Sequence, residues 1–139
     1  MTTIATDGKS MAGDGLVTSN GTIFGRSFVK VVRLKDGRIA GAAGSAFYLA
    51  PFFAWLESGG DAPELGEHFD GIVLSPDGSC RTYDEKCRSI PEETPSAVGS
   101  GREIAIGAMM ASASPMKAVT IAAERDSGTG GTIVSLTIE

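Results

Sequence analysis

Aspartate-glycine dipeptides cut this chain into strand-length pieces. Asp7-Gly8, Asp36-Gly37 and Asp77-Gly78 each separate short apolar or alternating segments, and a glycine that enters positive φ freely after an aspartate is a strong local signal for a β-hairpin. Thr3-Ile4-Ala5-Thr6 alternates, and Met11-Ala12-Gly13-Asp14-Gly15 is a second short strand running into a turn. Thr22-Ile23-Phe24, the run from Ser27 to Leu34, and Ile39-Ala40-Gly41-Ala42-Ala43 continue the pattern. The first third therefore predicts a sheet of several antiparallel strands.

Beyond Gly44 the spacing changes. Phe47, Leu49, Phe52, Phe53 and Leu56 fit a helix, with Pro51 tolerated in its first turn and Gly59-Gly60 as its stop. Gly71 to Leu74 and Ser79 to Tyr83 flank the turn Ser75-Pro76-Asp77-Gly78 and predict a second hairpin. Two helices follow, from Arg102 to Ala111 and from Pro115 to Arg125, the proline suiting a first helical position. Thr132 to Ile138 alternates and closes the chain as a strand. With no internal repeat, linker or low-complexity tract, residues 1–139 read as a single domain.

Composition excludes some functions. A net charge of −5 disfavours nucleic acid or an anionic membrane as partner. The longest apolar stretch, Ala46 to Leu56, is too short to span a bilayer. Cys80 and Cys87 lack a second ligand pair, which argues against zinc and for two free thiols in a reducing compartment. His68, the sole histidine, sits in a polar, loop-like run, a poor setting for a Ser-His-Asp or Cys-His mechanism.

The chain start carries a different chemistry. Met1 precedes Thr2, a small residue after which initiator methionine is commonly trimmed, and trimming leaves a threonine with a free α-amine. An α-amine titrates near ~8, so one residue would supply both a hydroxyl nucleophile and its general base.

Further motifs resemble, in order and almost end to end, the β-subunits of proteasomes, most of all the bacterial HslV-type peptidase. Thr2-Thr3-Ile4 resembles the family's mature N-terminus, and Gly13-Asp14-Gly15 falls where the family has its catalytic aspartate. Phe28 to Leu34 resembles the strand that carries the active-site lysine, here Lys30, and Ile39 to Ser45 the turn whose glycine amide, here Gly44, forms the oxyanion hole. Gly99-Ser100-Gly101 resembles the turn whose serine lies beside the threonine amine. Arg125-Asp126-Ser127-Gly128-Thr129-Gly130-Gly131 looks like the Arg-Asp-x-x-Ser-Gly-Gly segment, with Thr129 in place of serine.

The resemblance implies an N-terminal threonine endopeptidase of the N-terminal-nucleophile (Ntn) hydrolase superfamily. Its α+β architecture would be a four-layer αββα sandwich with the family's second helix missing or reduced, since Asp61 to Asp70 contains Pro63 and Gly66. Catalysis would rest on Thr2, Asp14, Lys30, Gly44, Ser100, Asp126 and Thr129. An extended peptide would lie along Thr18, Ser19 and Gly44, with an apolar specificity pocket at Val17, Phe28, Val32, Ala42 and Ala46. The resemblance also implies a cytoplasmic homo-oligomeric ring, an ATPase unfoldase partner, peptide or unfolded-protein substrates and no cofactor. A related amidase acting on a small amide and a non-catalytic ring subunit are the alternatives.

Overall fold

A computed structural model describes all residues, 1–139. Eleven strands form three antiparallel sheets. The first is four-stranded, in the order β10-β1-β2-β11, and consists of β1 (Thr3–Thr6), β2 (Ser10–Gly13), β10 (Ser96–Gly99) and β11 (Val134–Thr137). The second is a two-stranded hairpin of β3 (Val17–Ser19) and β4 (Thr22–Gly25). The third runs β5-β6-β7-β8-β9: Val31–Arg33, Ile39–Ala43, Asp70–Leu74, Cys80–Tyr83 and Ser89–Glu92. The helices are α1 (Leu49–Ser58), entered through a single 3-10 turn at Ala46–Tyr48, α2 (Arg102–Met110) and α3 (Pro115–Arg125).

Strand alternation sorts the side chains into three apolar clusters. Ile4 and Met11 of the four-stranded sheet meet Val31, Ile39, Ile72 and Leu74 of the five-stranded sheet, so the central core lies between the two. Ala40, Ala42 and Val73 point the other way and pack under Leu49, Phe52 and Leu56 of α1. Ala5, Ala12 and Ala97 form the outer face of the four-stranded sheet and meet Ala105, Met109, Ala118 and Val119 of α2 and α3. Phe52 anchors the α1 side: it is fully buried, with its ring 5.1 Å from Phe69 and 5.5 Å from Tyr83, both edge-on. Phe52→Ala is expected to lower stability by about 3–5 kcal/mol, read as a drop in the urea midpoint with little change in slope; a loss under about 1 kcal/mol would mean that α1 is not seated by this ring.

The helix ends follow local rules. Pro115 occupies the first helical position of α3, and the Ser114 side chain accepts from Lys117 N at 3.1 Å. Pro51 falls in the first turn of α1, and Gly59, at φ +70°, closes that helix by donating to the Trp55 carbonyl at 2.8 Å.

The expectation of a four-layer αββα sandwich needs correction. The scaffold is mainly antiparallel sheet, of five, four and two strands, and three helices of ten, nine and eleven residues are too few and too short to complete two outer helical layers. The five-stranded sheet carries α1 alone, because Gly59 to Phe69 contains no helix. The run from Ser27 to Leu34 is also less regular than expected: only Val31–Arg33 pairs as a strand, while Phe28 and Val29 stay exposed. No helix is long and apolar enough to cross a membrane.

Candidate active site

Strand pairing brings the chain start to the Gly-Ser-Gly turn. Thr3 lies opposite Gly99 in the β1-β10 ladder, which sets Thr2 beside Ser100. The Thr2 backbone nitrogen donates to Ser100 Oγ at 3.2 Å, and the Thr2 carbonyl accepts from Gly101 N at 3.3 Å. Thr2 is buried, and with Met1 attached its hydroxyl donates to the Met1 carbonyl.

Lys30 reaches the same hydroxyl from the entry to β5. Its ammonium donates to Thr2 Oγ1 at 2.7 Å, to Asp14 Oδ1 at 3.1 Å and to the Leu16 carbonyl at 2.6 Å, so all three of its protons are engaged. Asp14 follows β2 and is almost completely buried. Besides Lys30 it accepts backbone N–H bonds from Thr3 at 3.3 Å, Leu16 at 3.4 Å and Gly130 at 3.0 Å. Burial pushes the Lys30 ammonium below the ordinary lysine range, and the charge and hydrogen bond of Asp14 oppose that shift. A cation held there stabilises negative charge developing on the Thr2 oxygen.

On the other side of Thr2 a carboxylate organises two hydroxyls. Asp126, at the C-terminal end of α3, accepts from Ser100 Oγ at 2.6 Å and from Thr129 Oγ1 at 2.5 Å. Burial alone would raise this carboxyl; the Ser100, Thr129 and Gly128 hydrogen bonds and the N-terminal ammonium outweigh it and hold Asp126 below the usual carboxylate range. Asp126 is therefore an anion at neutral pH, and the Ser100 proton is turned toward it, leaving a Ser100 lone pair for the Thr2 nitrogen.

Thr2 and Lys30 open into a cleft of about 730 Å³. Of the residues expected to bind substrate, Val17, Thr18, Ser19, Phe28, Ala46 and Gly44 line it. Gly44 has φ +138°, a left-handed conformation suited to glycine, just after β6. Within the two-stranded sheet β3 pairs with β4 alone, which leaves one strand edge for an extended chain. Val32 and Ala42 are not cleft residues: Ala42 is fully buried on the α1 face of β6, and Val32 packs against the same cluster. Alternation along the two strands turns both toward α1.

Leu16, Phe24, Phe47 and Leu49 complete the apolar wall, and sequence reasoning missed them. Phe24 is 72% and Phe47 87% exposed, so they surround the opening instead of filling the core. An aromatic residue in a short strand or at a helix start carries no local mark that separates these two fates. His68 also lines this cleft, at φ +63°, exposed, and without a hydrogen bond to Thr2, Lys30 or Ser100. It lines as well a second, more polar cleft of about 700 Å³, which shares Gly44 with the first and includes Ser100, Arg102 and Glu103. Both cysteines are free and lie outside the two clefts; burial, together with the Glu92 charge, pushes the Cys80 thiol up to about 11.

No protein-family model matches the chain, and no curated protein matches it either. Among solved structures it is similar to Thiobacillus denitrificans BPH, with a TM-score of 0.73 and 21% sequence identity over 99% of this chain and 97% of that one. It is also similar to Thiobacillus denitrificans BPH in complex with epoxomicin, with a TM-score of 0.70 and 20% identity over the same shares. At this identity the likeness establishes a shared fold.

Proposed function

We propose that this chain is an N-terminal threonine peptidase of the proteasome and HslV type, cleaving peptide bonds by acyl transfer to Thr2 after Met1 is removed. The observation that carries the reading is the 2.7 Å bond from the buried Lys30 ammonium to the Thr2 hydroxyl, backed by Asp14. A lysine held on a threonine oxygen in this way favours the alkoxide, in addition to pairing the buried Asp14 carboxylate. Once Met1 is gone, the Thr2 proton that now bonds to the Met1 carbonyl passes to the α-amine instead.

In the proposed cycle Thr2 Oγ1 attacks the peptide carbonyl while its proton moves to the α-amine, and the Gly44 amide receives the oxyanion. Collapse breaks the C–N bond, and the α-ammonium returns its proton to the leaving amine. Water, deprotonated by the α-amine, then hydrolyses the threonyl ester. Ser100, ordered by Asp126, accepts an N–H from the amine and so aims the amine lone pair at the hydroxyl. Leu16, Phe24, Phe28 and Phe47 favour an apolar residue on the acyl side of the cleaved bond.

The chain is proposed to work as a cytoplasmic homo-oligomer. Phe24, Phe28 and Phe47 line the cleft and are exposed, as apolar side chains that subunit contacts cover would be, and unbridged thiols suit a reducing compartment.

The test is intact mass after treatment with a peptide epoxyketone, which needs both the hydroxyl and the free α-amine of an N-terminal threonine to form its ring adduct. Epoxomicin is a suitable probe, given its complex with a protein of similar fold. The expected product lacks Met1 and gains one inhibitor, and Thr2→Ala abolishes the gain. Correctly trimmed protein that stays unmodified would refute the reading. Retention of Met1 in cells would favour the non-catalytic subunit, because the Thr2 nitrogen would remain an amide.

A further inference from the structure

Asp126 spends one oxygen on two donors, and proton bookkeeping carries the hydrogen-bond chain one residue further. Thr129 has a single hydroxyl proton, and it points to Asp126 Oδ2 at 2.5 Å. Thr129 Oγ1 also lies 2.7 Å from Thr3 Oγ1. With its proton already committed to an anion, Thr129 is the acceptor in that contact and Thr3 the donor. The chain thus runs from the Thr3 hydroxyl through Thr129 to Asp126, and from Asp126 through Ser100 to the Thr2 nitrogen.

The contact between the two threonines is enclosed. Thr3 is fully buried and Thr129 is 5% exposed, so neither hydroxyl can turn to water. A Cβ on Gly101 would lie 2.1 Å from Thr3 Oγ1 and 3.2 Å from Thr129 Oγ1, so the absence of a side chain at that position leaves room for the bond. Thr3 also touches the lysine side of the site, because its backbone N–H donates to Asp14 Oδ1 at 3.3 Å. One residue therefore connects the group that holds Lys30 with the group that orders the amine.

We propose that Thr3 is a positioning residue of this site, its hydroxyl fixing the Thr129 proton on Asp126 and thereby the Ser100 lone pair on the Thr2 amine. The proposal deepens the peptidase reading and rests on it. Buried hydrogen bonds reinforce one another, and the Thr3–Thr129 link is buried while the Ser100–Asp126 link is exposed, so loss of the first donor loosens the Thr129–Asp126 bond first and the Ser100 bond through it. Valine matches threonine in shape and removes only the donor, whereas serine keeps the donor and removes the methyl.

The experiment compares Thr3→Val and Thr3→Ser with the parent protein in peptide turnover, and follows Asp126 by 13C NMR of aspartate carboxyls. Thr3→Val is expected to lower kcat about tenfold with KM within about twofold, the size of one lost hydrogen bond. Its Asp126 midpoint moves up, because the Thr129 donor is no longer fixed. With Met1 attached the charged group acting on Asp126 is the Met1 ammonium, which trimming removes, so the parent and both variants are compared in the same trimmed state. Thr3→Ser is expected to recover turnover to within about twofold and to restore the Asp126 midpoint. Equal losses in both variants, or a Thr3→Val protein with parental kcat and parental midpoint, would overturn the proposal. Failure of the peptidase reading looks different: the parent protein then has no turnover that Thr2→Ala removes, while the Asp126 midpoint still decides whether the Thr3 hydroxyl sets that carboxylate.

Discussion

Lys30→Met is expected to cut kcat for peptide hydrolysis by roughly 10³-fold, since it removes the only charge bonded to the Thr2 hydroxyl. It also leaves Asp14 buried without its cation, which costs about 3–5 kcal/mol when one partner of a buried pair is deleted. The three backbone N–H bonds that remain on Asp14 place the cost toward the lower end. Kinetics and thermal melting must therefore be read on the same protein, below its melting transition. A variant that stays folded and keeps more than a tenth of parental kcat would remove Lys30 from the mechanism. The parent's pH profile carries the same signature: because burial lowers the Lys30 value, turnover should fall on the alkaline side before an ordinary lysine would lose its proton. The stability effect has the opposite slope. Between the lowered folded value and the ordinary one, the unfolded chain binds more protons at this residue than the folded chain does. Lys30's own contribution to stability therefore rises with pH across that window.

Gly99→Ala is expected to be the next most damaging, although the residue carries no chemistry. Gly99 has φ +100°, where an L side chain is strained by roughly 1–3 kcal/mol. An added Cβ would fall 2.0 Å from the Thr2 carbonyl oxygen, a contact that backbone must move to relieve. The movement separates β1 from β10 at the pair that sets Thr2 beside Ser100. Hydrolysis should drop by about 10²-fold, the scale of a displacement near 1 Å in a positioned group. Epoxyketone labelling should slow in parallel while the far-UV spectrum is kept. Undiminished labelling would show that the turn is free to shift without carrying the nucleophile.

Both substitutions act where local sequence signals and long-range pairing meet, and this division also explains what was legible in the chain. The Asp7-Gly8, Asp36-Gly37 and Asp77-Gly78 turns, the Pro115 helix start and the Gly59 helix stop are local chemistry, and each lies where the sequence put it. β10 was not legible, because Ser96 to Gly99 becomes a strand through its pairing with β1, ninety or more residues away. β9 contains Pro91, which is tolerated because the strand lies at a sheet edge. The four-layer expectation overestimated the helices, since the sequence locates helical segments without saying how much sheet they must cover. In the site, Asp14, Lys30, Ser100, Asp126 and Thr129 do converge on Thr2. The apolar wall was legible only in part: Val32 and Ala42 turn toward α1, and Phe24 and Phe47 took their places at the opening.

Asp14 binds Thr3, Leu16, Lys30 and Gly130 at once. Gly130, its most distant partner, lies 116 residues further along the chain. The carboxylate that steadies Lys30 therefore gains its full set of donors only once the chain has been made as far as Gly130. Asp126 and Thr129, on the Ser100 side of Thr2, likewise follow Thr2 by more than a hundred residues. Thr2 is thus made long before the groups that surround it, and the site around it closes only when segments more than a hundred residues apart have paired.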